Sequence, residues 1–182
     1  MKLIAFAGSS SIQSINKQFA TYVGEKVATE LSAELELLDL NDYDIPLYSI
    51  DKEKRGEVPA QVHTFISKLK QADGIILSLA EHNGTYTAVF KNLIDWASRI
   101  ELGFFQGVPM LLLSTSPGGF GGGNVMEAAL ARLPKFQAQI VAHFSLPKFG
   151  ENFDQEKGIL DVGIKSEFED KFALFREVIG KQ

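Results

Sequence analysis

Leu3-Ile4-Ala5-Phe6-Ala7-Gly8-Ser9-Ser10-Ser11-Ile12-Gln13-Ser14-Ile15-Asn16 stands near the start of the chain. Five apolar residues run without a break and stop at a glycine. A serine-rich turn follows, and then Phe19, Val23, Val27 and Leu31 recur every four residues. The unbroken run reads as a strand covered on both faces, and the recurrence reads as the core face of a helix. A strand leading through a short loop into a helix is the repeating unit of an α/β fold.

The same alternation continues outward. Leu35–Leu40, Ile75–Ala80, Val108–Leu113 and, more weakly, Gln137–Ala142 read as further strands. Between and after them lie four more helical stripes: Val58, Val62, Ile66 and Leu69; Phe90, Leu93, Ile94 and Ala97; Val125, Ala129 and Leu133; and Phe168, Phe172, Phe175 and Ile179. Five strands alternating with five helices predict a doubly wound three-layer sandwich. Its simplest form is a five-stranded parallel sheet of order 2-1-3-4-5 with right-handed crossovers. The polar stretches Asn41–Glu57 and Lys148–Gly163 read as long loops. With 182 residues and no repeat or low-complexity tract, the reading is one domain over 1–182.

Composition removes several classes. There is no cysteine, hence no disulfide framework, thiolate metal site or thiol chemistry. His63 and His143 carry no ligand spacing, and no metal is expected. Eighteen basic against 23 acidic residues, without a basic run, speaks against a nucleic-acid binder. The apolar stretch before Gly8 is too short for a signal-peptide core, and no run approaches the ~20 residues of a membrane span. The expectation is a soluble cytoplasmic protein.

In an open sheet of this order, ligands bind beyond the carboxyl ends of the strands, between the first and third. Three segments reach that point. Gly8–Asn16 delivers a helix N-terminus, whose unpaired N–H groups and partial positive charge suit a phosphate. Ser9, Ser11, Ser14 and Asn16 add side-chain donors; equally, the loop reads as a plain serine-rich turn with Ser14 as the helix cap. It lacks a Walker A lysine and the glycine spacing of a dinucleotide fingerprint. The second segment is Ala80-Glu81-His82-Asn83-Gly84-Thr85, where Asn83-Gly84 is a turn dipeptide. Its backbone can meet the polar edge of a flat heteroaromatic ring. Glu81 reads more readily as a pairing partner than as a catalytic acid. The third, Ser116-Pro117-Gly118-Gly119-Phe120-Gly121-Gly122-Gly123, packs five glycines into six positions and allows a backbone to approach a ligand closely.

Taken together, these motifs resemble the NADPH-dependent FMN reductase family of flavodoxin-like proteins, which includes quinone, azo-dye and chromate reductases. The resemblance runs over Met1–Val141. The family pattern Gly-Ser-x-Arg-x-x-Ser-x-Asn is met by Gly8–Asn16, and Pro-Glu-Tyr-Asn-Gly-Ser by Ala80–Thr85. Lys-Asn-x-Ile-Asp-Trp is met by Lys91-Asn92-Leu93-Ile94-Asp95-Trp96. The resemblance implies FMN, its phosphate at Ser9, Ser11, Ser14, Ile15 and Asn16. It places the ring against Ala80, Glu81, His82, Asn83 and Gly84 on one side and Ser116, Pro117, Gly118 and Gly119 on the other. It also implies NAD(P)H as donor, a quinone-like small-molecule acceptor, and a homodimer or homotetramer. Lys91, Asn92, Asp95 and Trp96 would build their helix and a subunit interface. Three positions depart from the pattern: Ser11 replaces Arg, Ala80 replaces Pro and His82 replaces Tyr. The first removes a cation near the phosphate, for which Lys17 offers a substitute one turn on. No catalytic side chain is required, because the flavin carries the chemistry; His82 is the one candidate to hand a proton to a reduced quinone. The competing readings are a flavodoxin-type electron carrier without enzymatic activity and a flavin-free binding module.

Overall fold

Both faces of the first strand are buried, and that fixes the layering. The computed structural model describes residues 1–181. In β1 (Lys2–Gly8), Leu3 and Ala5 turn to one side of the sheet and Ile4 and Phe6 to the other, all 0–2% exposed. On the Leu3 side lie α1 (Ile15–Leu31), with Phe19, Val23 and Val27, and α7 (Val162–Ile179), with Phe168, Phe172 and Phe175. On the Ile4 side lie α3 (Ala60–Leu69), α4 (Ala88–Ile100) and α5 (Gly123–Arg132). Each of the five apolar stripes faces the core. Val58 precedes α3 and Leu133 follows α5, and both still pack against it.

The remaining sheet strands are β2 (Glu34–Leu38), β3 (Gly74–Leu79), β6 (Pro109–Thr115) and β7 (Gln139–Leu146). Their order is β2-β1-β3-β6-β7, every pairing parallel, which is the 2-1-3-4-5 order expected. The central strands fall within two residues of their expected bounds. The edges do not. β2 stops at Leu38 because Asp39 accepts from the N–H of Asn41 and caps a 3-10 turn over Leu40–Asp42. β7 starts two residues late, at Gln139, since Gln137 closes a preceding turn with φ +60°, and it runs on to Leu146. On this edge strand Ala142, Phe144 and Leu146 face inward while His143 is exposed, so no continuous apolar run marks it.

The two long loops carry structure of their own. Asn41–Glu57 holds that 3-10 turn and α2 (Ile50–Lys54). Asn92 ties it to α4, its Oδ1 accepting from Tyr48 N at 2.9 Å and its Nδ2 donating to Pro46 O at 3.1 Å; Trp96 Nε1 donates to the same carbonyl at 2.8 Å. Asn92 and Trp96 therefore point into the chain and are not available to a subunit interface, whereas Lys91 and Asp95 pair on the surface. Lys148–Gly163 contains α6 (Phe149–Asn152) and a hairpin of β8 (Phe153–Asp154) and β9 (Gly158–Ile159). A further hairpin, β4 (Glu81–His82) with β5 (Thr85–Tyr86), turns at Asn83 and Gly84, whose φ values of +51° and +76° are those of a tight hairpin turn.

Candidate functional site

At the switch point between β1 and β3 the three segments converge. A cleft of about 290 Å3 is lined by Ser9, Ser11, Gln13, Ser14, Ile15 and Asn16 from the first loop, Ala80, Glu81 and His82 from the hairpin, and Thr115, Ser116 and Pro117 from the end of β6. Asn83 and Gly84 form the hairpin turn, and Gly118 and Gly119 the exposed part of the glycine loop; these four lie outside the lining. Gln13 and Thr115 line the cleft beyond the residues that the sequence motifs single out. Gln13 lies inside the serine motif but matches one of its variable positions. Thr115 is the last residue of a buried strand, where a polar side chain at a ligand end is itself a signal.

The α1 end of the cleft gathers hydrogen-bond donors. Ser14 caps the helix, its Oγ accepting from Lys17 N at 3.2 Å, and its carbonyl takes Gln18 N. The N–H groups of Ile15 and Asn16 are left with no partner among the described residues, beside the cleft. Ser9 Oγ accepts from Ser11 N at 3.2 Å, so the hydroxyl hydrogens of Ser9, Ser11 and Ser14 remain free to donate.

Asn16 plays a different part from the one expected of its side chain. It is 2% exposed. Its Oδ1 accepts from Ser78 Oγ at 2.8 Å and Thr115 N at 3.0 Å, and its Nδ2 donates to Thr115 O at 3.0 Å. The side chain thus bolts the start of α1 to the ends of β3 and β6, and only its backbone N–H is open to a ligand. Lys17 does not substitute for the missing arginine: its Nζ pairs with Asp39. Partial burial works against charge on Asp39, but the hydrogen bonds from Lys17 and Asn41 outweigh it and hold its pKa below the usual carboxylate value. Neither lysine nor arginine lines the cleft.

At the other end Glu81 is a helix cap. The N-cap of α5 is Gly122, which has no side chain to offer, and Glu81 Oε2 accepts from Val125 N at 3.0 Å while Oε1 accepts from Asn124 Nδ2 at 2.9 Å. The glycines beneath it are required. Gly122 has φ +80°, and a Cβ on Gly121 would lie 2.9 Å from the backbone of Leu146. His82, paired with Thr85 across the hairpin, is exposed. Opposite Glu81 in the hairpin, the Tyr86 hydroxyl is buried without a partner among the described residues, and burial pushes its pKa up to about 12.

The model of the NADPH-dependent FMN reductase family matches residues 1–151, which include every residue of this cleft. The chain belongs to that family. A quinone reductase of Escherichia coli (strain K12) is 31% identical over 128 residues, 65% of this chain and 67% of its own length. Among solved structures, a flavoenzyme NAD(P)H:(acceptor) oxidoreductase from Paracoccus denitrificans superposes over 99% of this chain and 97% of its own, with a TM-score of 0.75 at 23% identity. A flavodoxin from Pseudomonas aeruginosa, in a mutant form, covers 98% of this chain and 99% of its own at TM-score 0.56 and 14% identity, which places the fold as flavodoxin-like. As a member of the reductase family the chain is an oxidoreductase with FMN as cofactor and NAD(P)H as electron donor.

The residues present fit that cofactor. A phosphate asks for clustered donors, which the open amides and serine hydroxyls supply at one end of the cleft. A flat ring asks for a wall at the other end, which the hairpin and the Ser116–Pro117 backbone supply.

Proposed function

We propose that this single domain reduces quinone-like small acceptors with electrons from NAD(P)H. In this reading FMN lies in the cleft with its phosphate at Ser9, Ser11, Ser14, Ile15 and Asn16. The ring rests between Ala80–Gly84 and Ser116–Gly119. The observation that carries the proposal is the pair of unpartnered N–H groups at Ile15 and Asn16, facing a cleft at the switch point of the sheet. Bound FMN supplies hydride acceptance and release.

The chain's own residues do the rest. Ser9, Ser11 and Ser14 bind the anion by hydroxyl and amide alone. Asn16 holds the loop in register with β3 and β6, so the donors are fixed before the ligand arrives and cost no reorganisation on binding. Glu81 fixes the hairpin to α5 and so sets the width of the ring end. No catalytic side chain is assigned. His82 is the one imidazole lining the cleft and, on this reading, the nearest proton donor to an acceptor at its mouth; an unchanged pH profile of quinone turnover in His82→Phe removes that role.

The quinone reductase relative supports the acceptor class, and no described helix is long and apolar enough to cross a membrane. We propose a cytoplasmic homodimer or homotetramer, with light scattering on a sizing column as its test. Steady oxidation of NAD(P)H on addition of 1,4-benzoquinone tests the activity. A protein that takes up electrons once and does not turn over is instead a carrier.

A further inference from the structure

A second concavity meets the cleft at its phosphate end. It is about 350 Å3 and shares Ser14 with the FMN cleft. Ser14, Lys17, Gln18, Thr21, Tyr22 and Glu25 line it at helical spacing, so one face of α1 forms its floor. From the cap at Ser14 to Glu25 that floor rises eleven residues, about 16 Å. Tyr22 stands edge-on to Phe153 of the β8–β9 hairpin, with ring centres 5.3 Å apart and planes at 88°. The phenol can lie over that hairpin because Gly158 (φ +74°) carries no side chain; a Cβ there would collide with it. At the cleft end the groove is lined by Ile12, a large apolar side chain that the fold leaves 89% exposed.

The groups along the floor follow a chemical order. One turn past Ser14, Lys17 spends one of its three ammonium hydrogens on Asp39 and keeps two to donate to a phosphate. Next, Gln155 Nε2 donates to Gln18 Oε1 at 3.0 Å, which leaves the Gln18 amide hydrogens and the Gln155 carbonyl for the hydroxyls of a ribose. Tyr22 then offers a ring against which a base can stack. Last comes the exposed Glu25, a carboxylate that can accept from the exocyclic amine of an adenine. Phosphate, ribose, adenine and amine are the parts of an adenylate, in sequence. The cleft itself adds an electrostatic argument. The phosphate of FMN is a monoester carrying about −1.5 to −2 at neutral pH, and neither lysine nor arginine lines the cleft to meet it. Joined to an adenylate, that phosphate becomes a diester with a single charge, which suits amides and hydroxyls, and the second phosphate falls toward Lys17.

We propose that this groove takes the adenylate half of FAD, so that the chain binds FAD as well as FMN, with the flavin-side phosphate at Ser14 in both. The proposal rests on the function above, since it needs the flavin phosphate at the α1 end of the cleft.

The test is a competition. The full chain is equilibrated with an excess of FMN and FAD in equal amounts and freed of unbound flavin, and the bound flavins are then released and separated by chromatography. The wild type is expected to carry at least as much FAD as FMN. Tyr22→Ala should lower the ratio of FAD to FMN about tenfold and Glu25→Leu several-fold, with FMN binding alone unchanged in both. Glu25 is exposed, so its variant keeps the test decisive if Tyr22→Ala fails to fold. A wild-type ratio in favour of FMN, or a ratio that either folded variant leaves unmoved, overturns the groove assignment. Total flavin per chain in the same samples separates the two readings: FMN bound without FAD sinks the groove alone, and a chain that binds neither sinks the FMN reading with it.

Discussion

The two ends of the cleft are built by opposite means. At the α1 end the decisive bonds are buried: Asn16, Ser78 and Thr115 form a closed set with every side-chain bond inside the protein. At the hairpin end they lie near the surface. Glu81 reaches across to cap a helix whose own cap is a glycine, and His82, Asn83 and Gly84 are exposed. A phosphate is the same in every turnover, and its site can be fixed permanently. In the proposed function donor and acceptor exchange at the other end, where the Glu81 carboxylate ties the hairpin to α5. Rigidity is placed where the ligand is constant, and the looser construction is placed where ligands exchange.

Breaking the buried set should cost most. Asn16→Ala strands three buried partners at about 1 kcal/mol or more each, so about 3 kcal/mol of stability should be lost, read from a denaturant midpoint at unchanged m. FMN affinity should fall with it. If stability holds, the α1 end is not the rigid one and the contrast fails.

Glu81→Ala removes a cap and should cost about 1 kcal/mol, with quinone KM changing more than FMN affinity. Equal effects on both would mean that the hairpin is part of the phosphate site's support.

Ser11→Arg restores the cation that the family pattern carries. FMN should bind about tenfold tighter, in line with the roughly 1.5–3 kcal/mol typical of bonds to charged groups less the entropy of ordering a long side chain. The gain should shrink in high salt. No gain would show that amides and hydroxyls already satisfy the anion.

The smallest change sharpens the hairpin's side of the contrast. Tyr86 has its pKa raised by burial to about 12, from an ordinary value of 10.0. Between those two values the unfolded chain loses the proton and the folded chain keeps it. Folding is therefore favoured fully below pH 10, and this contribution is lost as pH rises to about 12. Tyr86→Phe should flatten that part of the stability curve relative to wild type. At neutral pH it should stabilise slightly, since an unpartnered hydroxyl is removed. An unchanged alkaline profile would mean that the hydroxyl reaches solvent or a partner.

The sheet order is legible in the sequence because β1, β3 and β6 are covered on both faces, and such strands can be read from their apolar residues alone. β7 has one wet side, so its end is blurred. The two-residue strands β4 and β5 are too short for any period; only Asn83-Gly84 announces their turn. Within the site, the serine cap at Ser14 is legible because capping is local. The roles of Asn16, Lys17 and Glu81 are not. Their partners lie 99, 22 and 44 residues away at Thr115, Asp39 and Val125, and no local pattern encodes a direction across such gaps.

The central proposal is that the cleft holds FMN by amides and hydroxyls and that FMN takes up electrons from NAD(P)H there. The visible absorption spectrum of the purified protein, supplied with FMN, freed of excess and then given NAD(P)H under nitrogen, tests it most directly. The account predicts a retained flavin band that bleaches with the donor and returns on adding a quinone. A protein that stays colourless after exposure to FMN, or a bound flavin that no reduced dinucleotide bleaches, would contradict it.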